Sequence, residues 1–202
     1  MPRNSLCKST SSFILLLTYF FFFFIFSLSS VMVNGESQSF ARTLSPESMR
    51  FKQEKITHLH FYFHDIVSGR NPTAVRVAEA PITNKSATFF GAVVVMDDPL
   101  TETPELTSKA VGRAQGIYSA TSQSELSFLL AFNFVFSEGK YNGSTLSVLG
   151  REPVGPKVRE LPVIGGSGIF RFARGYALVK TQALDLKTGD AVLEYDVFVI
   201  HY

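Results

Sequence analysis

The stretch that decides the fold is ITHLHFYFHDIV, running from Ile56 to Val67. Its residues alternate, with Leu59, Phe61, Phe63 and Asp65 on one face and His58, His60, Tyr62 and His64 on the other. A period of two is the periodicity of a strand, because successive side chains leave a pleated backbone on opposite sides. The same period persists to the end of the chain. Strand-like runs follow at Val75–Ala80, Ala87–Met96, Gly112–Ser119, Ser127–Ser137, Thr145–Leu149, Gly168–Leu184 and Ala191–His201. Turn signals stand between them: Ser68-Gly69-Arg70-Asn71-Pro72, Asp97-Asp98-Pro99, Asn142-Gly143, Gly165-Gly166 and Thr188-Gly189-Asp190.

Eight such runs with no capped, helix-period apolar stripe predict an all-β domain over 56–202, either a barrel or a sandwich. An eight-stranded antiparallel β-barrel is favoured, since closure removes exposed edges and leaves a central cavity for one small ligand. The run Phe128-Leu129-Leu130-Ala131-Phe132-Asn133-Phe134-Val135-Phe136 is apolar on both faces. One face lines the barrel and the other needs cover, which predicts a homo-oligomer.

Upstream, Arg3 and Lys8 precede an apolar run from Phe13 to Leu28, and the small residues Val33 and Gly35 stand before Glu36. That order predicts a secretory signal peptide over 1–35, with an apolar core shorter than the roughly 20 residues of a membrane span. Residues 36–55 are polar and read as a flexible N-terminal arm. Removing the signal peptide takes away two basic residues and leaves 17 of each sign, a neutral chain unsuited to nucleic acid. It also takes away Cys7, the single cysteine, which excludes thiol chemistry and thiolate metal sites from the mature protein. The expected location is therefore extracellular, with no membrane association after cleavage. The sequons at Asn84 and Asn142 lie in polar, turn-like stretches and are candidate glycosylation sites.

No nucleophile elbow, phosphate-binding loop or dinucleotide fingerprint is present, so no cofactor is expected. Three histidines of one strand, His58, His60 and His64, cannot readily converge on one ion, so no metal is expected either. Asp65 is the informative residue. It is either a carboxyl carried into an apolar cavity beside Phe63 or a solvated group at a strand end. The segment Gly150–Gly168, with Arg151, Glu152, Arg159, Glu160 and three prolines, is either a loop overhanging the barrel mouth or a solvated surface loop.

HFYFHDI (60–66), GRAQGIY (112–118), VLGREPVGPKVRELPVIGGSGIFRFARGYA (148–177) and the terminal GDAVLEYDVFVIHY together resemble the plant dirigent family, in that family's order. The resemblance implies a barrel like that of allene oxide cyclase, assembled as a trimer and secreted to the apoplast. It implies binding of phenolic monolignol radicals, such as those of coniferyl alcohol, made by a separate laccase or peroxidase. The barrel would impose stereoselectivity on phenoxy radical coupling to give optically active lignans, without oxidative chemistry of its own. By the same resemblance Asp65 matches a pocket aspartate, Tyr118 a cavity tyrosine and Arg159 a pocket arginine, while Glu152 stands where lignan-forming members carry a second aspartate. Asp65 and Glu152 are thus the expected catalytic pair, with Tyr118, Arg159 and Phe63 as substrate contacts. The chain lacks the cysteines of the disulfide-stapled lignan-forming subgroup. Relatives of the broader kind include pterocarpan synthases, which dehydrate an isoflavanol, and defence or wall-associated proteins; a passive phenolic-binding barrel is the non-catalytic alternative.

Overall fold

A computed structural model describes residues 40–49 and 53–202; the signal-peptide reading of 1–35 lies outside them. Residues 41–45 have no regular structure and Pro46–Met49 form one 3-10 turn. No described helix is long and apolar enough to cross a membrane.

Residues 49–202 form one compact unit. Its strands are β1 (Lys55–Asp65), β2 (Ala74–Ala78), β3 (Val93–Thr101), β4 (Ala110–Ala120), β5 (Ser127–Phe136), β6 (Thr145–Pro153), β7 (Arg159–Ser167), β8 (Arg174–Leu184) and β9 (Ala191–His201). All pair antiparallel, in the order β1-β9-β8-β7-β6-β5-β4-β3-β2. Pairing of Tyr62 with Thr101 and Phe63 with Leu100 joins β1 to β3 and closes an eight-stranded barrel. The short β2 occupies the rest of the β3 edge, from Val93 to Met96.

The alternation seen in the sequence sets what fills the barrel. Phe61 and Phe63 of β1, Phe132, Phe134 and Phe136 of β5, and Tyr195 of β9 are all buried. Their rings meet at centroid distances such as 4.9 Å (Phe61–Phe134) and 5.3 Å (Phe134–Tyr195), mostly edge to face, the arrangement ring quadrupoles favour. Phe170 is fully buried and stacks on Tyr141, closing the end of the barrel where β1 begins and β9 finishes. The other end stays hollow.

Four segments differ from the sequence reading. Asp97-Asp98-Pro99 is not a turn but the middle of β3, which starts at Val93 and not Ala87. Asp97 N donates to Thr73 O, so two residues on the same edge meets Pro99. There β2 has ended and β1 has not yet begun to pair, so the missing proline N–H falls in a gap. Second, β6 runs on to Pro153, which puts Glu152 in a strand. Third, Arg159–Ser167 is a complete strand and Gly165-Gly166 lies inside it, so the overhanging loop shrinks to residues 154–158. Pro162 is accepted because Gly150 faces it, where a Cβ would come within 2.7 Å of its ring. Fourth, the run Gly168–Leu184 is broken by the 3-10 turn Gly168–Phe170, and β8 begins only at Arg174.

Outside the barrel, Val95, Ile117, Ala131 and Leu149 are successive cross-strand neighbours on β3 to β6. Val95, Ile117 and Leu149 are each nearly half exposed, and Leu129 on the same face extends the row. Asn84 and Asn142 are exposed.

Candidate active site

A cavity of roughly 700 Å³ occupies the hollow end, within the size range of small-molecule sites. Phe63, Phe132 and Tyr195 form its floor, and Val75, Arg76, Phe89 and the β8–β9 turn from Leu184 to Gly189 stand among its walls. That turn is fixed in place by Asp190, whose carboxylate accepts from Val67 N (2.9 Å), Ser68 N (3.0 Å) and the Ser68 hydroxyl (2.6 Å).

Asp65, Tyr118, Glu152, Arg159 and Phe63, drawn from four strands, all line this one cavity. Strand parity brings each one in. Asp65 ends β1 on the side of Phe61 and Phe63. Tyr118 lies near the end of β4 on the side of Ala114 and Gly116; a Cβ at Gly116 would come within 2.5 Å of Phe132, so glycine there lets β4 lie against β5. The Tyr118 hydroxyl donates to Asp65 over 3.3 Å, and its ring lies edge-on to Phe128 at 5.4 Å.

The electrostatics follow from burial. Removal from water pushes the Asp65 carboxyl up to about 6; the Tyr118 hydrogen bond opposes this, while Asp190 and Glu152 add to it. The phenol of Tyr118 is raised well above its ordinary value, first by burial and then by Asp65 and Asp98. Arg159 donates through Nε (3.1 Å) and Nη2 (2.8 Å) to Glu152 and through Nη1 (2.9 Å) to the Thr181 hydroxyl. Glu152 is 6% exposed and Arg159 5%, so this ion pair is out of water. Burial raises the Glu152 carboxyl and Arg159 holds it down, with a net upward direction.

The histidines divide. His58 bonds Asp196 (2.9 Å) and His60 bonds Glu194 (3.0 Å), whereas His64 is buried alone against the Thr101 hydroxyl (2.7 Å). Ligand atoms of His60, Glu194 and Asp196 lie within 4.8 Å of one another, but the Lys180 ammonium reaches both carboxylates, at 3.4 and 3.5 Å. Sequence reading overlooked Thr181 and Tyr195, whose alternation in β8 and β9 points them inward. It also overlooked Asp98, fully buried and in phase with Met96 and Leu100, because an Asp-Asp-Pro run looks like a turn.

The family model for dirigent-like proteins matches residues 56–200. The chain belongs to the dirigent family. Dirigent protein 21 of Arabidopsis thaliana is 56% identical over 82% of this chain and 88% of its own length. Pterocarpan synthase 1 of Glycyrrhiza echinata is 47% identical over 98% of this chain and all of its own. The solved pterocarpan synthase dirigent protein GePTS1 superposes with a TM-score of 0.75 at 51% identity, covering 80% of this chain and 99% of that one. This dirigent barrel thus shares its architecture and about half of its aligned residues with proteins named as pterocarpan synthases.

Proposed function

We propose that the cavity binds an isoflavanol-type phenolic and catalyses its stereoselective dehydration and ring closure through a quinone methide. The observation that carries this is Asp65: a carboxyl that burial in an apolar, aromatic-floored cavity pushes up to about 6, within reach of proton transfer in both directions. Protonated Asp65 gives its proton to the departing hydroxyl, the C–O bond breaks and water leaves. The conjugated phenolic O–H loses its proton as the quinone methide forms. The second phenolic oxygen then adds to the electrophilic carbon and gives up its proton, and the quinone oxygen regains one. The net change is loss of one water, with no redox step. Tyr118 steadies Asp65, and the Arg159–Glu152 pair sets a fixed dipole across the bound rings. Likeness to a pterocarpan synthase over 98% of the chain supports the choice of substrate class.

A second reading, stereocontrol of phenoxy radical coupling with radicals from an external laccase or peroxidase, is favoured by the cavity volume, which admits two phenylpropanoid units. The two readings separate cleanly. Incubation with an isoflavanol and no oxidant yields an optically active pterocarpan under the first. Racemic product, or none, removes it; enantiomeric excess in pinoresinol from coniferyl alcohol plus oxidase then selects the second.

We infer also that the protein is secreted, glycosylated at the exposed Asn84 and Asn142, and assembled as a homotrimer over the Val95–Leu149 face. Support comes from the order of charge and apolar residues at the start of the chain and from the uncovered apolar row.

A further inference from the structure

The β1–β3 pairs that close the barrel are Tyr62 with Thr101 and Phe63 with Leu100. Carrying that register two residues further sets Asp65 across from Asp98. Both have inward phase, Asp65 with Phe63 and Asp98 with Met96 and Leu100. The strands have parted at this point. Ile66 O accepts from Thr73 N and Ala74 N, and Asp97 N donates to Thr73 O, so the corner from Ile66 to Thr73 roofs the seam.

Asp98 is fully buried beneath that roof. Its Oδ1 accepts from the Thr73 hydroxyl, while its Oδ2 has no hydrogen-bond partner among the described residues. A charged carboxylate oxygen sealed from water without a donor is unfavourable; protonated, the same oxygen becomes a donor itself. Asp98 does not line the cavity, yet it interacts electrostatically with both Asp65 and Tyr118, which do.

We propose that Asp98 is a positioning residue for the cavity acid: Asp65 and Asp98 form a carboxyl pair across the barrel seam that holds one proton between them at neutral pH. Like charges at close range cannot both be present at low cost, so the pair titrates in two separated steps. Burial first, and then the Asp65 charge, push Asp98 up to about 7; Asp65 itself lies at about 6. The other groups acting on the pair come from several elements: Thr73 and Arg113 lower Asp98, Asp97 raises it, and Glu152 and Asp190 raise Asp65. Arg76 lowers Tyr118. None of these lies opposite Asp98 when the β1–β3 register is carried on, as Asp65 does. The consequence is that Asp65 can surrender a proton and accept one in the same cycle while Asp98 keeps the pair singly charged.

The proposal takes from the proposed function only that Asp65 is the group facing substrate; the pairing itself does not depend on it. The test is a carboxyl-carbon NMR titration of the protein labelled at aspartate Cγ, between pH 4 and 9, without substrate. Wild type should show two coupled aspartate steps. Asp98→Asn, which keeps the Thr73 bond, should lose one step and move the remaining step of Asp65 downward, and Asp65→Asn should move that of Asp98 downward. Should Asp98→Asn fail to fold, Thr73→Val removes the bond that lowers Asp98 and should move its step upward. Two independent steps, each indifferent to substitution of the other residue, would overturn the pairing. Coupled steps in a protein with no turnover of isoflavanol leave the pair standing and sink the functional reading alone. Where turnover exists, the upper limb of its pH profile should move to lower pH in Asp98→Asn; an unchanged profile overturns the positioning role.

Discussion

Asp65 couples activity and stability to pH in the same direction, since both favour its protonated form. Its folded value, about 6, lies above the 3.8 of a free aspartate, so the folded state holds the proton more tightly than the unfolded one. The stability this lends is full below about pH 4 and is lost as pH rises to about 6. Asp65→Asn should therefore melt a few degrees higher than wild type at pH 7.5 and no higher at pH 4, by thermal denaturation at both. Its turnover should fall by 10²-fold or more, on the order of what removal of a general acid costs. The Arg159–Glu152 pair makes a different prediction. Arg159→Leu strands a buried carboxylate and should cost about 3–5 kcal/mol at pH 7, less as Glu152 protonates in acid, with Glu152→Leu in the same chain restoring most of the loss. A urea-unfolding double-mutant cycle measures both. At this scale one period-two strand puts Asp65 in phase with two phenylalanines, yet pattern alone leaves a solvated strand end equally open, and it is the family resemblance that points to the cavity. Asp98 was not legible, since a turn signature and a strand crossing a seam are spelled with the same three residues.

Elements were legible where alternation was uninterrupted and illegible where prolines and glycines are tolerated for tertiary reasons. β1, β4, β5 and β9 stand close to where the pattern set them. β7 was missed because Pro162, Gly165 and Gly166 punctuate it, and Pro162 survives there only because Gly150 leaves room on β6. β3 was displaced because Pro99 fits a gap between two neighbouring strands, a circumstance no local window contains. Gly116 tests the same kind of contact. A Cβ there would come within 2.4 Å of Ala131 O and 2.5 Å of Phe132 Cα, both backbone atoms that can move only by parting β4 from β5. Gly116→Ala should cost about 1–3 kcal/mol in thermal or urea unfolding and, by shifting Phe132, weaken phenolic binding measured by calorimetry.

At the scale of the whole molecule, the eight-stranded closed barrel was readable from periodicity and the need to remove edges. Its interior was not: nothing in a count of strands says which end is packed and which is empty. The apolar outer row from Val95 to Leu149 is a matter for this scale too. Ile117→Lys places a charge at its centre and should reduce the assembled mass to that of one chain, by light scattering after gel filtration, without lowering the unfolding temperature of the monomer.

Phe170, seated against Tyr141 and Phe136, stops the barrel like a cork. A reactive guest therefore has the same doorway for arrival and departure, beneath the turn that Asp190 anchors. Under the proposed reaction, product must clear that threshold before the next molecule enters. Stiffening the anchor should lengthen each guest's stay, trading throughput for protection from stray water.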